Sequence, residues 1–440
     1  MDHRHQHKLI EDYELDPVPE DKRQGWFKQT LVWIAGIVAL SATALGGALG
    51  SGMNLTDAII ASFIGTFLLS LLSALCCIVG AKTGLSTALI SSFALGRYGS
   101  MAVSVIIAIS LFGWFGVQLD LFGSSLNKVI MDVFGLNIAP GILMIIGGAL
   151  MTLTACIGYR AIEKLSTIAV PLLAILLIGS VYMISKSFSF EELNHMALTS
   201  NPLTVGMGIS SVIGSLSVGA IIGPDISRYA KSAKDAAISA FLSYFAAYCV
   251  VLIIAAVLAK ATSEVDVVAI MIGIGWGTGG MLVLILAQWT TNNTNIYSSA
   301  LGFSVIFKKV PKYILTIIAG IIGTTFAISG IYDHFIPFLN VLSVLIPPIG
   351  GIYTADFIFK HREYKFDNIQ HIPNMRVQSL LTWFIASIVA FITTPNPTGF
   401  GLFTITGAPG IDSFLAAFII QLIIGFKYKN ETLTVKGDAA

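Results

Sequence analysis

Charge is what this 440-residue chain has least of: Asp, Glu, Lys and Arg together make up 11% of it. Soluble domains carry about 25%. So few charges cannot cover a water-facing surface, which excludes the several soluble domains that the length alone would suggest. The net charge of +1 is too small for electrostatic capture of nucleic acid. Cysteine is scarce as well. Cys76, Cys77, Cys156 and Cys249 all sit inside apolar runs and read as packing residues, not as a disulfide framework or a metal cage. None of the seven histidines lies deep in an apolar run. No HExxH or His–Cys pattern occurs, and one buried Asp cannot make an aspartyl dyad. An enzyme is therefore not expected, nor is a bound cofactor. Residues 1 to 29 are polar without an apolar h-region, which reads as a tail and not a cleaved signal peptide.

What the chain has in excess is apolar sequence, at 55% hydrophobic residues and a mean hydropathy of +0.83. Twelve apolar runs fall at 30–48, 57–80, 100–126, 140–159, 165–185, 203–223, 235–259, 274–303, 314–331, 334–357, 377–393 and 403–425. A span takes about 20 residues, so each run is read as one transmembrane helix. Lys and Arg test the count, because they concentrate in cytoplasmic loops. With the N-terminus inside and strict alternation, 22 of the 25 fall inside, and only Lys128, Lys186 and Lys260 fall outside. A missed span would invert everything after it and spoil that bias.

The expected fold is thus an all-α integral membrane protein of twelve transmembrane helices with both termini cytoplasmic. Spans one to five cover 30–185 and spans six to ten cover 203–357. An odd number of spans per half puts the second half in from the opposite side, as in the inverted repeat of many secondary transporters. Two further spans occupy 377–425, between an N-terminal tail, 1–29, and a C-terminal tail, 426–440. The first span of each half is rich in Gly and small residues, Ala39 to Gly47 and Gly208 to Gly219. That pairing points to broken helices around a midplane site.

The eighth span carries the most chemistry. A polar run from Gln288 to Asn295 interrupts it near mid-depth, where unsatisfied polar groups cost most. Gln288, Asn292 and Asn295 share one helical face, and Thr291, Thr294 and Ser298 form the adjacent one. Uncharged hydroxyl and carbonyl oxygens suit a weakly held monovalent cation, and amides offer donors and acceptors to a polar ligand. In the third span Trp114 and Gln118 stand four residues apart on one face, so a ring can stack on the indole while its edge meets the amide. Asp120 is an intramembrane acid whose role is open between structural and functional. Asp225 and Arg228, at the inner end of span six, are spaced for a local ion pair and read as a cap with inside charge. A channel would show a filter or charged ring, of which the Gly- and Pro-rich 394–410 loop is only a faint suggestion. A receptor would carry a sizeable soluble module. A cation-coupled carrier of a small polar or planar solute remains.

The residues also resemble the nucleobase–cation symporter family, in its cytosine permease branch. The resemblance rests on Pro17-Val-Pro, Gly80-Ala-Lys-Thr-Gly84, Gly113-Trp-Phe-Gly116, Trp289-Thr-Thr-Asn292 and Ile346-Pro-Pro-Ile-Gly350-Gly351. It implies a leucine-transporter-like fold, alternating access, and uptake of nucleobase-like rings across the cytoplasmic (inner) membrane. It implies a sodium site formed by Ala35, Val38, Ala287, Thr290 and Thr291, with proton coupling as the alternative. It implies a substrate held by Trp114, by Asn292, and by the stretch Ser215, Leu216, Ser217 to Gly219, unwound so that its backbone reads the ligand edge. Leu216 stands where cytosine permeases place a second aromatic, and Leu111 where they place Gln; Gln118 instead matches the hydantoin carrier of the family. Cytosine is the first expectation, with purines, hydantoin- or allantoin-like rings and hydroxymethylpyrimidine as alternatives.

Overall fold

The computed structural model describes residues 13, 16–37, 40–157, 159–200, 202–263, 275–334, 338, 341–342, 344–394 and 399–427. Val38, the first twelve residues and the C-terminal tail beyond Lys427 lie outside these. Among the described residues there is no β-strand, and the one sheet-like contact is an isolated parallel bridge between Gln24 and Ala230. Helices close their own backbone hydrogen bonds, which a bilayer requires of any segment that crosses it.

The first apolar run folds as two helices, α1 (Trp26–Ile37) and α2 (Leu40–Gly52), whose axes diverge by 63°. Next is α3 (Leu55–Thr83). The Asn54 side chain accepts from the Asp57 amide at 2.8 Å to start it, and Gly84 in the left-handed conformation ends it. Then come α4 (Thr87–Phe134), α5 (Pro140–Cys156), α6 (Tyr159–Ser185) and the short α7 (Phe190–His195). After α8 (Val205–Ile221) and the single turn α9 (Pro224–Ser227), α10 (Ala233–Phe241) passes through a π-helical turn, Leu242–Ala247, into α11 (Tyr248–Thr262). The remainder is α12 (Gly277–Ile306), α13 (Lys312–Ile328), α14 (Pro347–Lys360), α15 (Val377–Thr393) and α16 (Pro409–Lys427).

Four helical stretches are long and apolar enough to cross a bilayer unaided: α3, α4, the continuous Ala233–Thr262 and α16. The bent α1–α2 pair is a fifth, and α5, α8, α13 and α15 are shorter apolar helices. On α5, Ile142, Ile145, Ile146 and Leu153 are each more than half exposed. Only lipid covers such a row without cost.

Helix α4 is two pieces. Gly96 sits at φ 81°, ψ 173°, which breaks the ladder and is open to glycine without strain. The freed backbone groups bond to the loop before α15: Arg97 N–H to Pro373 O at 3.1 Å, Tyr98 N–H to Asn374 O at 2.9 Å, and Arg376 N–H to Leu95 O at 3.1 Å. Beyond the break, α4 runs beside α12, α3 packs on α8, and α11 packs on α2. These three contacts leave a space between α1, α2, α4, α8, α11 and α12.

The last two helices are tied to α14 through Asp356, which is 3% exposed. Its carboxylate accepts from Lys360 Nζ at 3.1 Å, Tyr364 Oη at 2.9 Å and Gln421 Nε2 at 3.2 Å, with Arg376 at 3.8 Å. Asp356→Ala strands these buried donors and is expected to cost about 3–5 kcal/mol. Lys360→Ala removes only a partly exposed partner and is expected to cost under about 1 kcal/mol. Melting of the two purified variants checks this, and equal melting temperatures would contradict it.

Candidate substrate and cation site

The space between the helices is a cavity of about 690 Å³. The helix packing around Trp114 shows why that residue faces it. Gly113 and Gly116 flank the indole on the turn, and a Cβ on Gly116 would come within 2.9 Å of Phe326. With no side chain on either glycine, α13 and Phe338 approach closely and Trp114 is turned inward. Its ring meets Phe338 edge-on at 6.0 Å, a favourable aromatic geometry. One turn on, Gln118 also lines the cavity and is 2% exposed. Its Nε2 donates to Ser41 Oγ at 2.8 Å, while its Oε1 has no partner among the described residues. A buried acceptor left open costs about 1–3 kcal/mol, so this oxygen is poised for a ligand's N–H.

Of the expected residues on α8, Ser215, Leu216 and Gly219 line the cavity. Ser217 does not; it is buried and its hydroxyl bonds to Gly214 O at 3.2 Å. The expectation of an unwound stretch is also corrected. The α-helix runs unbroken through Ser215 and Gly219 to Ile221, and the chain changes direction only at Gly223–Pro224. Ser215 Oγ bonds back to Val212 O at 2.8 Å. The backbone of this stretch is engaged in the helix, so side chains form this wall. Proline explains the position of the break, because it cannot donate to the preceding turn.

On α12 the cavity face is Thr291, Thr294, Asn295 and Ser298, spaced i, i+3, i+4 and i+7. Asn292 is not on that face. It is fully buried between α4 and α5, its Nδ2 directed at Phe115 O and Met151 Sδ, both at 3.4 Å. The amide that reaches the cavity is Asn295, which also donates weakly to Asn292 Oδ1 at 3.5 Å. The helical period permitted either face, and packing against α4 selected one.

The oxygens expected around a cation converge. Thr290 Oγ1 lies 2.7 Å from both Ala35 O and Ala287 O. Thr291 Oγ1 lies 3.1 Å from Ala287 O and 3.2 Å from Gly36 O. Ala35 and Gly36 stand in the last turn of α1, next to the bend. This is an oxygen-only, uncharged donor set, which suits a hard monovalent ion and not a transition metal. Among the described residues no group of three or more His, Cys, Asp or Glu side chains is placed to hold a metal. Val38 lies outside the described residues.

Asp120, half-buried, lines the cavity beside Ser124 toward Lys128. At the other end Ile222 and Ile226 form a floor. Behind it the Asp225 carboxylate caps α4, accepting from the Thr87 amide at 2.8 Å. Arg228 is fully buried and donates to Tyr13 O and Tyr297 Oη, both at 2.7 Å. Asp225 is thus a cap, as expected, but of a helix distant in sequence. Sequence reasoning missed Ser41, Tyr244 and Tyr248, which also line the cavity. Ser41 lay within the small-residue run of the first span, while nothing in the sequence pointed to the tyrosines.

A helical membrane fold with a deep ring-and-amide cavity beside an uncharged oxygen cluster is that of a carrier. Comparison with known proteins agrees. The family model described as permease for cytosine/purines, uracil, thiamine, allantoin matches residues 17–394. Cytosine permease of Escherichia coli (strain K12) is 33% identical over 365 residues, 83% of this chain and 84% of that protein. This chain belongs to that permease family, which is not an enzyme family. Among solved structures, Mhp1, a nucleobase-cation-symport-1 family transporter in a closed conformation with bromovinylhydantoin bound, superposes with a TM-score of 0.80. Its identity is 19%, covering 96% of each chain. A Na+-coupled sialic acid symporter in a substrate-bound outward-open state gives a TM-score of 0.67 at 11% identity, covering 96% of this chain and 93% of that one. At these identities the likeness shows the shared fold.

The two asparagines of α12 separate the geometry from the sequence pattern. Asn295→Ala is expected to weaken solute binding by about 1 kcal/mol with little effect on melting. Asn292→Ala is expected to lower melting by loosening α12 from α4 and α5. The opposite assignment in binding and melting assays would contradict this placement.

Proposed function

We propose that this protein is a sodium-coupled symporter of a nucleobase-like ring, with cytosine as the leading substrate, working by alternating access. The observation that carries the reading is the meeting of two features in one cavity. Trp114 and Gln118 offer a stacking face and an unpartnered acceptor. Thr291 belongs both to that cavity and to the oxygen cluster with Ala35, Gly36 and Ala287. The names of the relatives support the solute class: a cytosine permease and a transporter with a hydantoin bound.

In the proposed mechanism the threonine hydroxyls keep their protons but rotate them away from the carbonyls of α1, so that hydroxyl and carbonyl oxygens together would hold a sodium ion. Sodium then fixes the end of α1 against α12. Because Ser41 on α2 holds Gln118 at 2.8 Å, ordering that junction also orders the amide that meets the ring. The cavity extends along α4 past Asp120 to Lys128 and is floored at Ile222 and Ile226. That corresponds to access from the side opposite the N-terminal tail. Twelve spans, cytoplasmic termini, inner-membrane residence and an inverted five-plus-five arrangement belong to the same proposal, supported by the distribution of Lys and Arg. Proton coupling is the second reading. Asp120 favours it as the one carboxylate among the described residues that line the cavity.

Proteoliposomes test both readings. Uptake of labelled cytosine is expected to saturate and to require an inward sodium gradient. Uptake driven equally by a proton gradient without sodium would overturn sodium coupling, and a change in the solute or an unsaturable current would overturn the carrier. Thr291→Ala is expected to abolish sodium enhancement of cytosine binding, a linkage of typically about 1–3 kcal/mol; wild-type enhancement would defeat the assignment. Trp114→Ala is expected to weaken cytosine binding by at least about 0.5–1.5 kcal/mol, the aromatic pairing alone. Full affinity in a binding titration would make the indole a packing residue.

A further inference from the structure

Helix α11 begins where the π-helical turn Leu242–Ala247 ends. Such a turn inserts a residue into an α-helix and rotates the next turns of that helix by about 100°, and it recurs at functional sites. Here Tyr244, within the turn, and Tyr248, just after it, both line the cavity although each is only 1% exposed. The Tyr244 hydroxyl lies 2.9 Å from where a Cβ on Gly219 would sit. The Tyr248 hydroxyl lies 2.7 Å from Ser215 Oγ.

The protons on this wall can be counted. A hydroxyl has one proton to donate and two lone pairs to accept with. Ser215 gives its proton to Val212 O at 2.8 Å. Either hydroxyl could donate in the contact with Tyr248; with the serine proton on Val212 O, it is the tyrosine that donates. With both protons committed, the Ser215–Tyr248 pair shows the cavity an acceptor, the lone pairs of Tyr248, and no donor. The Gln118–Ser41 side differs: Gln118 Oε1 accepts, while the second amide proton of Gln118 remains to donate.

We propose that Tyr248, oriented by Ser215, is a specificity-determining residue that selects rings presenting an amine or ring N–H toward α11 over rings presenting an oxo group there. An oxo oxygen would set lone pair against lone pair in a buried place, and unpaired buried acceptors are where hydrogen-bonding sites gain their discrimination. The class selected is the aminated heterocycle, represented by cytosine and adenine over their oxo counterparts uracil and hypoxanthine. This inference rests on the nucleobase reading of the cavity.

The test is uptake of these four bases, each labelled, into proteoliposomes under an inward sodium gradient, with each of the other three as competitor. The parent protein is expected to prefer the amino rings. Ser215→Ala frees the Tyr248 proton and turns the wall into a donor, so the amino-over-oxo ratio is expected to fall about tenfold, mainly through better oxo rings. Tyr248→Phe has no hydroxyl to turn and is expected to lower the same ratio through poorer amino rings. A parent without amino preference, or an unchanged ratio in a Ser215→Ala protein that elutes as the parent does on size exclusion, overturns the proposal. Should Ser215→Ala not fold, an unchanged ratio in Tyr248→Phe overturns it alone. A parent that takes up none of the four bases overturns the nucleobase reading itself, so the two failures are told apart.

Discussion

The contact on which the rest of the structure depends joins the end of α1 to the middle of α12. Carbonyl oxygens at a helix end have no partner within the helix, and in a bilayer there is no water to supply one. Here Ala35 O and Gly36 O are met by Thr290 and Thr291. The contact satisfies the oxygens without adding charge. A hydroxyl that fills such a gap keeps its proton but can rotate it away, which leaves its lone pairs facing the site. In the proposed reading a structural need and a binding capacity therefore occupy the same atoms.

The ring wall is built on the same principle, with partial satisfaction. Gln118 is held by one end through Ser41 and left open at the other. Trp114 meets Phe338 edge-on and lines the cavity. Leu216 lines that cavity where the family resemblance places a second aromatic, so in the proposed reading stacking is one-sided and polar groups on α8 and α11 take a larger share of recognition. Behind the floor, Arg228 and Asp225 have their hydrogen bonds made by Tyr13, Tyr297 and Thr87.

Much of this is legible in the chain. Runs of apolar residues form helices in lipid, so the all-helical membrane class follows from hydropathy. The convergence of Ala35, Ala287, Thr290 and Thr291 follows from the family motif, since a motif fixes which helix faces which. Trp114 and Gln118 are legible from their i, i+4 spacing. The failures share a cause. Asn292 and Asn295 are equally good candidates on a helical wheel, and only the packing of α4 and α5 against α12 decides between them. A Gly- and Ser-rich stretch predicts that α8 is able to unwind, not that it does so; its helical bonds are all available, and the turn comes at proline instead. The π-helical turn that brings Tyr244 and Tyr248 inward leaves no signature in residue types, because it is set by how helices α10 and α11 rest on α3 and α2.

If sodium and the ring bind through one shared junction, each must strengthen the other by the same factor, because coupling free energy is reciprocal. The most direct measurement is calorimetric titration of the purified protein with sodium, in the presence and absence of saturating cytosine, together with the converse titration. The account predicts that cytosine tightens sodium by the factor by which sodium tightens cytosine, roughly 5- to 150-fold. A sodium affinity indifferent to cytosine would contradict it.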